Sequence, residues 1–201
     1  MSVLIAIEGI DGSGKTTIVK FLADELKRRG YNVVTFKEPT DSEWGKRVKE
    51  AKLKPEEELE LFLKDREWNV KYNIIPALKS GKIVILDRYY YSTIAYQSAR
   101  GIDLKLIKKL NERFPKPDLV IILDISPETA LKRIKVRGEP DKFEKIEFLK
   151  KVRENFLSLK DENVFIINAE LDLNTVKEKV LEVILKYLQL KTSPFKGMRK
   201  V

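Results

Sequence analysis

Val3-Leu4-Ile5-Ala6-Ile7-Glu8-Gly9-Ile10-Asp11-Gly12-Ser13-Gly14-Lys15-Thr16 is the stretch on which the fold of this chain turns. The apolar run at 3–7 is short and ends in a glycine-rich turn. Beyond the turn, Ile18, Phe21, Leu22 and Leu26 recur at helical spacing up to Gly30. Strand, loop and helix therefore follow one another directly. Residues 9–16 match G-x-x-x-x-G-K-[ST] at every position, in the strand-to-helix context the motif requires. Glycines let backbone N–H groups point inward around phosphate oxygens, and the dipole of the following helix attracts the same anion. Lys15 is expected to reach the β- and γ-phosphates, and Thr16 to offer its hydroxyl to Mg2+. Gly9, Ile10, Asp11, Gly12, Ser13, Gly14, Lys15, Thr16 and Thr17 are thus the expected cradle for ATP. The competing reading, an ordinary glycine-rich turn, accounts for neither the spacing nor the context.

The alternation continues along the chain. Strand-like apolar runs at 33–36, 83–86, 119–123 and 164–167 are separated by segments of helical period. These runs are continuous in their hydrophobicity, which marks strands covered on both faces, as in a parallel sheet. The expectation is a single P-loop NTPase-type domain over 1–201: a three-layer α/β/α fold with a five-stranded parallel sheet and a helical lid. Two regions interrupt the alternation. A helical stretch at 55–80 should bend or break near Pro76, where proline removes a helical hydrogen bond. At 131–156 two helical patterns flank Arg137-Gly138-Glu139-Pro140-Asp141, which reads as a mobile lid. The tail at 191–201, with Pro194 and Gly197 and no periodicity, should fray.

Composition narrows the chemistry. A chain of 201 residues that is 43% hydrophobic can bury one substantial core. It contains no cysteine and no histidine, which removes disulfides, thiolate sites, cysteine nucleophiles and histidine acid/base mechanisms, and makes zinc hydrolysis a poor fit. The net charge of +9 could serve nucleic acid, but 35% charged residues spread over the whole length read as mixed solvated faces. No specific nucleic-acid binding is expected. Lys/Glu enrichment without Cys or His is also the pattern of thermostable proteins rich in surface ion pairs. No apolar run approaches a membrane span and no secretory leader is visible, so the expectation is a soluble, cytoplasmic protein.

Magnesium needs a carboxylate from a neighbouring strand end, and the sequence offers Asp87 and Asp124. Asp87 is the better candidate because Arg88 follows it and would bring a phosphate-binding guanidinium to the same sheet edge. Asp124 reads instead as the cap of a helix beginning near Pro127. Phe62 and Arg66 lie four apart on one helical face, in line with Leu59, Leu63 and Val70. A ring beside a planar cation can stack a base and donate to its carbonyl edge; alternatively Phe62 is core and Arg66 snorkels to solvent. The run Tyr89-Tyr90-Tyr91 is read as packing.

Taken jointly, Glu8 and Asp11, Glu38-Pro39-Thr40, Leu61-Phe62 with Arg66, Asp87-Arg88-Tyr89 with Ser92, Ala95-Tyr96-Gln97, and Arg133, Lys135 and Arg137-Gly138 resemble the thymidylate kinases across most of the chain. The resemblance implies an ATP- and magnesium-dependent transfer of phosphate to thymidine monophosphate, by a homodimer. It implies that Phe62 and Arg66 hold thymine, that Arg88 binds the acceptor phosphate, and that Asp11 accepts from the 3′-hydroxyl. By the same resemblance Thr93 and Gln97 border the base, Tyr96 crowds the 2′ position, and Glu38 and Ser92 belong to the acceptor site. Relatives often carry Arg before the Glu-Pro pair, where this chain has Lys37. Lacking a P-loop arginine, it resembles members that place catalytic arginines in the lid, here Arg133 and Arg137. Lys15, Arg88, Arg133 and Arg137 are thus the expected catalytic cations, and Thr16 and Asp87 the metal partners. Rival readings are a nucleoside kinase, with Glu8 or Glu38 as base, a kinase for another monophosphate, and a nucleotide-dependent switch. No N-K-x-D signature of a GTPase switch is present.

Overall fold

A computed structural model describes residues 1–50, 53–135 and 143–192. Its centre is a five-stranded, all-parallel sheet in the order β2-β3-β1-β4-β5, with β1 at Val3–Glu8, β2 at Val33–Lys37, β3 at Ile83–Asp87, β4 at Leu119–Asp124 and β5 at Val164–Asn168. Residues 3–7, 83–86 and 119–123 are buried, as expected of continuous apolar strands with helices on both sides. This is the three-layer architecture of P-loop NTPases. Every strand runs one residue beyond its apolar run, and the added residue is polar: Glu8, Lys37, Asp87, Asp124 and Asn168. Register places Ile7 and Lys37 beside Asp87, and Asp124 beside Asn168. The carboxyl edge of the sheet is therefore a row of polar groups, where ligands bind in open parallel sheets.

Helix α1 (Lys15–Arg28) leaves the loop after β1 and packs against the sheet and against α9 (Leu173–Thr192). The other layer centres on α5 (Tyr90–Ala99), which contacts α3 (Pro55–Asn69), α6 (Leu104–Asn111) and α8 (Phe143–Leu157). The short helix α2 (Glu43–Glu50) lies against α3. The predicted bend near Pro76 takes a specific form. A π-helical turn at Val70–Ile74 links α3 to α4 (Ile75–Lys79), with the Ile75 N–H donating to Val70 C=O. Proline lacks an N–H and its ring would press on the carbonyl four residues back; one wide turn removes that conflict without ending the rod.

Two expectations at the rim need correction. Asp124 does not cap α7 (Pro127–Lys135): both its oxygens accept from Arg153 of α8, at 2.6 and 2.9 Å. The cap is Ser126, whose Oγ accepts from the Thr129 N–H at 3.2 Å. A small hydroxyl next to the first turn reaches that N–H, whereas a carboxylate at the strand end meets the guanidinium across the gap. The tail also begins later than expected, since α9 extends to Thr192 and Lys191 Nζ binds Asp118 at 2.6 Å. Residues 136–142, with Arg137, and 193–201 lie outside the described residues, whereas most of the expected lid's flanks do not: α7 and α8 are both helical.

Candidate active site

The loop between β1 and α1 wraps a cavity of about 490 Å³ at the carboxyl edge of the sheet. Gly12 has φ 82°, and a Cβ there would lie 2.7 Å from the Ala130 carbonyl. No other residue fits both the turn and the approach. Lys15 Nζ curls into the loop, donating to the carbonyls of Gly9 at 3.0 Å and Ile10 at 2.8 Å. Burial, helped by the nearby charge of Arg88, pulls the Lys15 ammonium down to about 7. A buried cation whose partners are two carbonyls and, at 3.5 Å, the Ser13 hydroxyl is poorly solvated, so the loop is electrostatically prepared for an anion. Thr16 Oγ1 donates to Asp87 at 2.6 Å. Among the described residues no three carboxylates converge, so this hydroxyl–carboxylate pair suits a hard cation that takes its remaining oxygens from phosphate and water, as Mg2+ does.

Arg133 reaches this cavity from α7, with Nη2 donating to the Ala169 carbonyl at 3.1 Å and Nη1 reaching Gly12 O at 3.5 Å. Ala169, Leu171, Leu173 and Val176, which sequence reasoning missed, supply an apolar flank. They lie in the turn after β5 and the start of α9, and only the sheet order brings them beside the loop. Lys37 also faces this cavity, together with Asp87 and Arg88.

A second cavity of about 300 Å³ opens beside the first, and Asp11 and Arg88 line both. All nine residues expected at an acceptor site lie on its wall: Asp11, Glu38, Phe62, Arg66, Arg88, Ser92, Thr93, Tyr96 and Gln97. Arg88 holds φ 73°, a left-handed conformation that costs about 1 kcal/mol in a residue with a Cβ. That turn aims its guanidinium along the boundary, where it meets the Asp11 carboxylate and donates to Ser92 Oγ at 3.1 Å. Its ion-pair partner is thus Asp11. Ser92 in turn donates to Glu8 at 2.5 Å, and Glu8 also accepts from the Tyr89 N–H at 2.8 Å. Glu8 is fully buried, and burial pushes its carboxyl up to about 7. Tyr96 Oη accepts from the Asp11 N–H at 3.0 Å, and its ring lies under the Arg88 guanidinium at 5.4 Å.

Arg66 does not snorkel; it is 1% exposed. Its Nε and Nη2 donate to Glu38 at 2.9 and 2.7 Å, Nη2 also to Thr93 at 3.0 Å, and Nη1 to Asn111 at 2.6 Å. The rings of Tyr89 and Phe114 lie 5.2 and 5.7 Å from the guanidinium. Four of the five N–H groups of an arginine are thereby engaged, and the fifth, on Nη1, is uncommitted among the described residues. Burial raises the Glu38 carboxyl, against the pull of Arg66 and the Asn69 amide. Sequence reasoning missed Glu58, Tyr89, Arg100 and Phe148 on this wall and Asn111 behind it. Glu58 was hidden in the acidic run Glu56-Glu57-Glu58, which reads as the first turn of a helix.

A triphosphate loop opening directly onto a base-sized cavity, with one arginine spanning both, is the layout of a P-loop kinase acting on nucleoside monophosphates. Comparison with known proteins agrees. The thymidylate kinase family model matches residues 7–180. A probable thymidylate kinase of Archaeoglobus fulgidus is 56% identical over 191 residues, spanning 94% of this chain and 97% of that protein. Its counterpart in Pyrococcus horikoshii is 43% identical, with 90% and 94% covered, and a thymidylate kinase of Xanthomonas campestris is 41% identical, with 92% and 84% covered. The chain belongs to the thymidylate kinase family.

Proposed function

We propose that this chain transfers the γ-phosphate of ATP to thymidine monophosphate, giving thymidine diphosphate and ADP on the route to thymidine triphosphate. The observation that carries the reading is the pair of cavities sharing Asp11 and Arg88, the second walled by Phe62, Arg66 and Gln97. ATP lies in the first with its phosphates on residues 9–17, and the acceptor lies in the second with its phosphate toward Arg88. The thymine ring stacks on Phe62 and accepts from the free Nη1–H of Arg66. Thr93 and Gln97 border it, Asp11 accepts from the 3′-hydroxyl, and Tyr96 fills the space a 2′-hydroxyl would need. Glu38 and Ser92 serve the acceptor site by holding Arg66 and Arg88.

A monophosphate has its second pKa near 6, so at neutral pH the acceptor oxygen is already an anion and no general base is needed. The protein's task is to align two anions and offset the charge of the transferring group. Lys15 and Arg88 do so from the loop and the boundary, Arg133 from α7 beside the first cavity, and Arg137 by the role the family resemblance implies. Thr16 and Asp87 would hold Mg2+, which supplies positive charge to the triphosphate oxygens. Residues 1–201 act as one domain, with 131–156 as a lid that excludes water.

No helix among the described residues is long and apolar enough to cross a membrane, which fits a cytoplasmic enzyme. A homodimer is supported by the exposed Trp68 and Tyr72, rings 5.5 Å apart, with Ile75 exposed one turn further along the α3–α4 rod. The deciding experiment is ADP formation from ATP and Mg2+ with thymidine monophosphate, deoxyuridine monophosphate, other monophosphates, thymidine, or no acceptor. Preference for thymidine monophosphate is expected. Equal ADP yield without acceptor would overturn the transfer, and activity on thymidine would make the enzyme a nucleoside kinase.

A further inference from the structure

Two buried polar atoms without a hydrogen-bond partner among the described residues, Tyr89 Oη and Gln97 Oε1, belong to side chains lining the acceptor cavity. The tyrosine hydroxyl donates or accepts as its hydrogen rotates, but the amide oxygen only accepts. Gln97 is 1% exposed, and an unpaired buried acceptor is costly unless something donates to it. A glutamine side chain has nearly the same shape when its amide is turned over, so its neighbours decide which end is left unpaired.

That neighbour is Glu58. Its Oε2 accepts from Gln97 Nε2 and from Arg100 Nη1, both at 2.5 Å. A carboxylate accepts and does not donate, so it takes the nitrogen end of the amide and leaves the oxygen end unpaired. Arg100 gives that carboxylate a cationic partner in the same wall. Two side chains of the cavity wall thereby hold an unused valence, an acceptor on Gln97 Oε1 and one N–H on Arg66 Nη1 uncommitted among the described residues. Thymine presents the complement, a ring N–H beside a carbonyl. An aminopyrimidine presents the inverse, a ring lone pair beside an amino group.

We infer that Glu58 is a specificity-determining positioning residue: by holding Gln97 Nε2 it makes residue 97 an acceptor toward the base and selects bases with an N–H/C=O edge over amino bases. The inference rests on the reading of this cavity as the thymidine monophosphate site. Its test compares thymidine monophosphate with 5-methyl-deoxycytidine monophosphate, which differs only at that edge. The wild-type protein should favour thymidine monophosphate in kcat/KM by about a hundredfold or more, since a hydrogen-bonding site rejects the wrong pattern strongly. In Glu58→Gln the new amide both donates and accepts, so Gln97 turns freely. The preference should fall at least tenfold, with KM for ATP unchanged.

The double variant E58A/R100A removes both charges together and should show the same fall. If either variant, folded by circular dichroism, loses activity on both nucleotides equally and keeps the wild-type ratio, Glu58 is merely structural and the inference is overturned while the acceptor reading stands. A wild-type protein silent with both nucleotides overturns the acceptor reading and the inference with it.

Discussion

At the scale of single residues, two buried ionisable groups titrate near neutrality and give opposite, measurable signatures. Lys15 is held down to about 7 by burial first and by Arg88 second, against the raising influence of Asp11, Asp87 and Glu8. A bound triphosphate adds negative charge beside it and raises its pKa, so nucleotide binding should take up a proton between about pH 7 and pH 10. Calorimetric titrations at pH 8 in buffers of different ionisation enthalpy should differ in heat, and Lys15→Met should remove the difference. Glu8 moves from 4.5 to about 7, chiefly through burial, with Ser92, Arg88 and Lys15 opposing. Between those values the folded chain binds more protons than the unfolded one. Its contribution to stability is therefore present below the unfolded value and lost as pH rises through about 7. Urea denaturation between pH 4.5 and pH 7 should show a component of roughly 3 kcal/mol falling with pH, at about 1.4 kcal/mol for each pH unit crossed. Glu8→Gln should flatten that component.

At the scale of elements, the loop after β2 is placed by a residue outside it. Asp65 of α3 accepts from the Thr40 N–H at 2.8 Å, Thr40 Oγ1 at 2.5 Å and Ser42 Oγ at 2.6 Å, while Ser42 Oγ accepts from the Gly45 N–H at the start of α2. One buried carboxylate thus pins the loop carrying Glu38 and Pro39 against the helix carrying Phe62 and Arg66. Asp65→Ala leaves these donors buried and unpaired. It should lower stability by about 2 to 4 kcal/mol in urea denaturation. Because Glu38 holds Arg66, KM for the acceptor should rise more than KM for ATP. Asp65 sits among apolar positions of α3, and nothing in its spacing announces a partner 25 residues earlier.

At the scale of the whole molecule, α7 and α8 join the two cavities. Arg133 of α7 lines the first and Phe148 of α8 the second. The segment between them carries Arg137, whose expected role is charge stabilisation during transfer. Arg137→Ala should lower kcat at least tenfold, the order expected for a cation acting on transferring phosphate, while acceptor affinity, measured by equilibrium binding, changes less than threefold. Unchanged turnover would remove Arg137 from the mechanism.

The fold was legible because its signals are local. Five apolar runs separated by helical period, and one loop whose glycine spacing has a single physical use, define a parallel sheet with a phosphate cradle. The polar residue ending two of the strands was legible too: Asp87, expected with Thr16 at a metal site, accepts from that hydroxyl, whereas Asp124, expected as a helix cap, meets Arg153. The acceptor residues were read through a resemblance, and their spacing alone left Arg66 undecided between base and solvent. What only the tertiary structure decided is the wiring around those residues. Glu58 turns the Gln97 amide, Asn111 and Glu38 fix the Arg66 guanidinium, and Glu8 anchors Ser92 beside Arg88. Hydrogen bonds between residues tens of positions apart depend on the crossing of helices and the order of strands. Periodicity records which face of an element is buried, and it carries no information about which buried polar atoms will meet.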